Sequence, residues 1–164
     1  MRVWDRLVRL LHWTLAVLVV FDLVYDDGGR VHRLVGYAAT VVVLLRLSWA
    51  TASRRHHLRP SIAESRAYLR QLLAGKPPRW ARHDPLGLWM VWLLWLLVLL
   101  LGLTGWMSRL DAFWGDDLVH GVHSLLADLL AVAAAVHVVA VVAMSVIWRE
   151  NLTAAMMTGI KRRP

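Results

Sequence analysis

The sequence predicts an all-α integral membrane protein that forms a four-transmembrane-helix bundle. Of the 164 residues, 59% are hydrophobic and 18% are charged, whereas a water-soluble domain usually has about 45–50% apolar and about 25% charged residues. Four apolar stretches, at about 7–25, 31–50, 85–106 and 118–148, have the length of roughly 20 residues that a helix needs to cross a bilayer. Such runs should be helical, because backbone amides find no water to bond in lipid. The length predicts a single domain over 1–164.

The basic residues are distributed unequally between the two sides of these helices. Of the 19 Lys and Arg residues, 16 lie at the termini and around the connection 51–84, and the other three are Arg30, Arg33 and Arg109. The positive-inside rule then places both termini in the cytoplasm. Topology therefore explains the net charge of +8, so we expect contact with membrane lipid and no nucleic-acid partner. No small-residue cleavage pattern follows the first helix, which predicts an uncleaved anchor.

The connections carry local signals of their own. Asp26-Asp27-Gly28-Gly29 is typical of a tight turn between helices one and two. In the cytoplasmic connection, Ser61-x-x-Glu64 predicts a capping box at the start of a short amphipathic helix that lies on the membrane surface and ends near Gly75. Its apolar face consists of Ile62, Leu69, Leu72 and Leu73. Asp84-Pro85 predicts the N-cap and first residue of helix three.

Histidine is the obvious ligand, because the chain has no Cys and eight His. His56, His57 and His83 lie in the basic connection and are expected to be solvated. His123 and His137 are 14 residues apart, so they share one face of helix four at a separation of about 21 Å. His120 lies off that face and is not expected to be a ligand.

Two further histidines occur at matching depths. His12 lies near the cytoplasmic end of helix one, and His32 lies just past the first turn, near the outer end of helix two. We therefore predict an inner pair, His12 with His137, and an outer pair, His32 with His123, and these names are kept below.

Two imidazoles that face each other across a bundle suit an iron already held by four planar ligands, which predicts two bis-histidine haems b per chain. A bare transition metal prefers three or four protein ligands at one depth, which the sequence does not offer. Small residues should lie near such ligands, as Gly36 does four residues after His32, although close helix packing also uses them. Helix three has no internal His and is expected to act as scaffold, with Trp89, Trp92 and Trp95 as a lipid-facing or packing stripe.

Charged residues at the helix ends and inside the helices allow two interpretations. Arg9, Arg33 and Arg46 are placed to bind haem propionates or to act as solvated anchors. Asp22 and Asp128 are either helix-packing groups or proton-linked groups at a quinone pocket.

Motifs spread over nearly the whole chain resemble the bacterial cytochrome b561 and nickel–iron hydrogenase cytochrome b family. They are Val3-Trp4-Asp5-Arg6 with Leu11-His12-Trp13, His32-Arg33-Leu34-Val35-Gly36-Tyr37, His83-Asp84-Pro85-Leu86-Gly87, His120-x-x-His123, Arg149-Glu150-Asn151-Leu152 and Met156-x-Thr158-Gly159. The resemblance implies a di-haem protein of the bacterial inner membrane, in which the helix-four histidines pair with those of helices one and two.

The resemblance also implies electron transfer between the quinone pool and a redox partner such as a c-type cytochrome, a dehydrogenase or a hydrogenase subunit. A homodimer and a monomer both remain open. Two other functions are alternatives to electron transfer: a membrane transporter of cations or metals lined by histidines, and an anchor of a redox complex without a cofactor of its own. The transporter needs carboxylates beside its histidines, and only Asp128 partly meets that need.

Overall fold

The computed structural model describes residues 4–25, 27–52, 61–75, 78 and 84–161. Within these ranges the fold is entirely helical, with no strand. The helices are α1 (Arg6–Val24), α2 (Arg30–Ala52), α3 (Ile62–Leu73), α4 (Pro85–Met107), α5 (Asp117–Ile147) and α6 (Leu152–Thr158), with a 3-10 turn at Asp111–Phe113 between α4 and α5.

Four of these helices are long and apolar enough to span a membrane, and they are α1, α2, α4 and α5. Their bounds differ from the predicted ones by no more than two residues, which confirms the four-helix prediction. Much of their surface is apolar and exposed, for example Val17 at 66% and Val139 at 67%. An exposed apolar surface of this extent requires lipid rather than water around it. The protein is therefore a multi-pass membrane protein.

Side-chain caps fix where the spanning helices begin. The carboxylate of Asp5 accepts a hydrogen bond from the backbone N–H of Val8 at 2.7 Å, and this starts α1. Asp84 accepts from Gly87 N–H at 2.8 Å and Pro85 is the first residue of α4, as predicted. Asp116 caps α5 in the same manner. The caps satisfy amide groups that a helix leaves unpaired at its N-terminus.

The spanning helices pack in an order that leaves a space in the bundle. Backbone contacts join α1 to α2, α2 to α4 and α4 to α5, whereas α5 has little such contact with α1 or α2. The core between α2, α4 and α5 contains Val43, Val98 and Leu130. At Gly102 of α4, a Cβ atom would collide with the side chain of Thr40 on α2, so this crossing requires glycine.

The predicted amphipathic helix is α3. Ser61 accepts a hydrogen bond from Glu64 N–H at 3.3 Å, which confirms the predicted N-cap. Leu73 is 79% exposed, so the predicted apolar face points away from the bundle. The contact with α4 is made by Tyr68, which is buried, and by Ser65, whose hydroxyl accepts from the indole N–H of Trp89 at 3.2 Å.

The last helix, α6, was not predicted from the sequence. Asn151 caps it by accepting from Ala154 N–H at 2.8 Å, and Gly159 ends it in the left-handed region at φ 77°. The helix lies beside the start of α1, where the Arg9 guanidinium donates to the Met157 carbonyl. A Cβ atom at Gly159 would come within 2.9 Å of the Trp4 carbonyl oxygen, so only glycine fits there.

Candidate haem sites

Four of the histidines form two pairs inside the bundle. The rings of His12 on α1 and His137 on α5 have centres 6.4 Å apart and planes at 83°. The rings of His32 on α2 and His123 on α5 have centres 6.2 Å apart and planes at 81°. The structure thus brings together both pairs that helical depth predicts, and α5 contributes one ring to each.

The spacing of each pair fits one metal ion between the two rings. An imidazole–metal bond is about 2.0–2.1 Å long and the ring centre lies about 1.1 Å beyond the nitrogen, so two rings on opposite sides of one metal have centres about 6 Å apart. Both measured distances, 6.2 and 6.4 Å, agree with that value. No group of three or more His, Cys, Asp or Glu residues within the described ranges is arranged to hold a metal ion. Two imidazoles without further protein ligands would suit an iron that a porphyrin already coordinates.

A cavity of about 710 Å³ surrounds the outer pair. It occupies the space between α5 and the hairpin of α1 and α2, and α4 forms its back wall. His32, His123 and the predicted Gly36 line it. Much of the remaining wall consists of residues with little or no side chain, namely Ala39, Gly102, Gly105, Ala127 and Ala131. Small side chains let a flat macrocycle approach the helix backbones, so the shape of the cavity fits a haem.

The ring of His123 is held by a residue that the sequence analysis did not single out. Thr104 Oγ1 lies 2.7 Å from His123 Nδ1 and donates its own proton to the Leu100 carbonyl at 2.9 Å. With its own proton directed to Leu100, the hydroxyl can accept from Nδ1–H in the tautomer that leaves Nε2 unprotonated. Thr104 is buried on α4 at the depth of the ring. No local motif marks this threonine, because its role depends on the packing of α4 against α5.

The ring of His32 faces a carboxylate. Nδ1 of His32 lies 3.0 Å from Oδ1 of Asp22 on α1, and both side chains are about one-fifth exposed. Both atoms are buried and neither has a hydrogen-bond partner among the described residues, so the contact between them is a close electrostatic one. Asp22 thus bridges α1 and α2 beside a candidate ligand. Asp128 lines the same cavity on α5.

Of the three predicted arginines, Arg33 lines the outer cavity and Arg46 lies near the inner pair, whereas Arg9 contacts α6. Arg46 is 93% buried, stacks on the ring of Trp95 at 5.5 Å, and acts electrostatically on His12 of the inner pair. Its Nη1 has no hydrogen-bond partner among the described residues, which suits an anionic group such as a propionate. Arg9 is tied to α6 through Met157.

Arg109, which the sequence analysis used only for topology, also lines the outer cavity and stacks on Trp114 at 4.7 Å.

The ring of His120 lies 3.0 Å from the Asp116 carbonyl in its own helix and is not paired with another imidazole in the described part of the chain. His56, His57 and His83 lie outside the described residues. The tryptophan stripe is divided, because Trp95 is buried whereas Trp89 and Trp92 are exposed.

The fold and the sites together define a multi-pass membrane bundle whose interior presents paired imidazoles. A comparison with protein-family models identifies the family: residues 3–159 match prokaryotic cytochrome b561, and the chain belongs to that family. Searches of curated proteins and of solved structures gave no match. Membership establishes a b-type haem cytochrome that transfers electrons in a membrane. It also confirms the resemblance seen in the sequence motifs.

Proposed function

We propose that the chain binds two haems b, one between His12 and His137 and one between His32 and His123, and passes electrons from one membrane surface to the other. The observation that carries the proposal is the pair of ring separations, 6.4 and 6.2 Å, at two depths of one helix. Bound haem would supply a one-electron redox centre at each depth. With both axial positions taken by the protein, electron transfer rather than oxygen binding is the favoured chemistry.

The protein residues hold and shield these centres. Thr104 and Asp22 orient the outer rings, and Arg46 supplies a buried cation for an anionic group at the inner site. Arg33 and Arg109 supply cations at the outer cavity. The apolar walls keep water away from the rings. The charge that moves through the bundle is then carried by electrons and not by protons.

We further propose that the protein lies in the bacterial inner membrane with both termini in the cytoplasm. The quinone pool would be one electron-transfer partner, and a c-type cytochrome, a dehydrogenase or a hydrogenase subunit the other. The distribution of basic residues and the family membership support this arrangement.

Haem content and its dependence on single histidines test the ligand assignment. The purified full chain is expected to show a reduced-minus-oxidised spectrum of low-spin haem b and about two haems per chain. His123→Ala should remove the outer haem and His137→Ala the inner one, whereas His120→Ala is the matched control from the same helix. A colourless protein after expression with ample haem, or a full haem content in either ligand variant, would contradict the proposal. A colourless protein would favour the transporter or the anchor.

Transfer between the two membrane surfaces needs a separate experiment. Liposomes that contain the protein and entrapped ferricyanide are mixed with dithionite outside, and ferricyanide loss is followed by absorbance. We expect fast reduction in the wild type and the slow leak rate of empty liposomes in both His123→Ala and His137→Ala. Full-rate transfer with either haem missing would show that the two sites do not act in series.

A further inference from the structure

The two rings of the outer pair have different polar partners, and those of the inner pair have none in the part of the chain that the structure describes. His123 donates to the neutral hydroxyl of Thr104 at 2.7 Å, whereas His32 faces the carboxylate of Asp22 at 3.0 Å. Within the described residues, neither His12 nor His137 forms a side-chain hydrogen bond or an ion pair. The partners of the outer rings come from α4 and α1, so both neighbouring helices contribute to one site.

The position of Asp22 is fixed on its other side as well. A Cβ atom at Gly36 would lie 3.2 Å from Oδ2 of Asp22, so the absence of a side chain at Gly36 leaves room for this carboxylate. Gly36 is one turn after His32 on α2. The carboxylate therefore lies between a glycine and a histidine of the same helix.

A carboxylate behind a ligating histidine changes the electronic character of the ligand. It fixes the proton on Nδ1, leaves Nε2 for the metal, and makes the ring a stronger donor. A stronger donor and a nearby negative charge both stabilise ferric over ferrous iron, which lowers the reduction potential. The hydroxyl of Thr104 orients its ring in the same manner but carries no charge, so its effect on the potential should be smaller.

From this geometry we infer that the carboxylate of Asp22, which lies 3.0 Å from Nδ1 of His32, lowers the reduction potential of the outer haem. Asp22 is a positioning residue, because it acts through the histidine and not on the iron. The inference rests on the haem assignment of the proposed function. It adds a physical cause for a difference in reduction potential between the two haems, and it names Asp22 as the residue on which that difference depends.

Spectroelectrochemical titration of Asp22→Asn tests this role. Asparagine keeps the shape and an acceptor oxygen but removes the charge, so the outer haem should titrate at a higher potential while the inner haem is unchanged. The outer component is identified as the one that remains in His137→Ala, and Asp22→Asn is also titrated in that background. Asp128→Asn is the matched control, because it removes a carboxylate from the same cavity without an ion pair to either ring. Its shift should be clearly smaller.

Two further variants separate charge from orientation. Thr104→Val should raise the outer potential less than Asp22→Asn does, and Thr104→Ser should restore the wild-type value. If Asp22→Asn fails to retain the outer haem, Asp22→Glu should retain it, since the charge is kept.

The inference is wrong if Asp22→Asn leaves the outer potential at the wild-type value, shifts both haems equally, or shifts it no more than Asp128→Asn. It is also wrong if Asp22→Asn and Asp22→Glu both lose the outer haem, because retention of the negative charge would then not be enough to keep the site. Each of these outcomes is interpreted only when the wild-type protein binds both haems. They are thus distinct from failure of the proposed function, in which the wild type itself lacks the two haems.

Discussion

The outer and inner imidazole pairs have nearly the same separation but lie in different surroundings. The outer rings face polar partners, Thr104 and Asp22, in a cavity of about 710 Å³. The inner rings have no such partners among the described residues, and the charged group that acts on His12 is the buried guanidinium of Arg46. The outer pair thus has a carboxylate 3.0 Å from one ring in a cavity that Arg33 and Arg109 also line, whereas the cation near the inner pair is Arg46.

This difference indicates that ring spacing and electrostatics are set by different parts of the fold. The two pairs lie at different depths because His123 and His137 are four turns apart on one helix, and the spacing within each pair follows from the distance of α5 from α1 and from α2. The electrostatics follow from whichever helices pack behind each ring. The two sites can therefore share ligands of one type and still have unequal reduction potentials.

Replacement of one histidine ligand should have the largest effect, because it removes one of the two haem sites that are compared. In His137→Ala the haem content should fall from about two to about one per chain, and the remaining spectrum should be that of the outer site. His123→Ala should leave the complementary spectrum. The two difference spectra should sum to that of the wild type; identical residual spectra would show that the two sites are not independent.

Arg46→Gln should weaken the inner site alone. Nη1 of the buried guanidinium has no hydrogen-bond partner among the described residues, and a charge-assisted hydrogen bond contributes about 1.5–3 kcal/mol, so retention of the inner haem during purification should fall by roughly tenfold or more. Haem content and the spectrum of the remaining component measure this. Arg70→Gln on the exposed surface of α3 is the control. Equal loss at both sites would indicate a general effect on folding.

Gly102→Ala should destabilise the packing of α4 against α2 without removing a haem ligand. The added methyl group would collide with Thr40 on α2, and overpacking of this kind costs about 1–3 kcal/mol. Thermal unfolding in detergent measures the loss. Gly121→Ala is the control, because nothing lies within 4 Å of a Cβ atom at that position. A stability equal to that of the control would mean that α2 and α4 are farther apart than described.

Alkaline pH should loosen the contact of α3 with α4. Burial, together with the charge of Asp84, raises the pKa of Tyr68 from 10.0 to about 12. The folded state favours the neutral phenol, so this contribution to stability is complete below pH 10.0 and is lost as the pH rises through about 12. Unfolding measured between these values should show the decline, and Tyr68→Phe should reduce it. An equal decline in both proteins would assign it to other groups.

His120→Ala is expected to have the smallest effect. His120 lines the outer cavity but is exposed, and its Nδ1 lies 3.0 Å from a carbonyl of its own helix, so its loss should leave the haem content unchanged. A loss of haem comparable to that of His123→Ala would exchange the roles of the two histidines.

Much of the fold follows from periodicity and composition. The lengths of the apolar runs predicted the four spanning helices, and Asp84-Pro85 and Ser61-x-x-Glu64 predicted two caps that the structure confirms. Helix α6 was missed because it is a seven-residue helix whose position depends on Arg9 and Trp4, far away in the sequence. Depth along straight helices was enough to predict which histidines lie together, because each residue advances a helix by a fixed rise.

The sequence by itself determined the membrane bundle and the two histidine pairs, since both depend on repeats within single helices. Only the tertiary structure decided that Thr104 holds His123, that Asp22 faces His32, and that Arg46 is buried beside Trp95. Each of these contacts joins residues on different helices. Its existence depends on how far the helices are rotated about their axes and how closely they approach, and no spacing within one segment records either quantity.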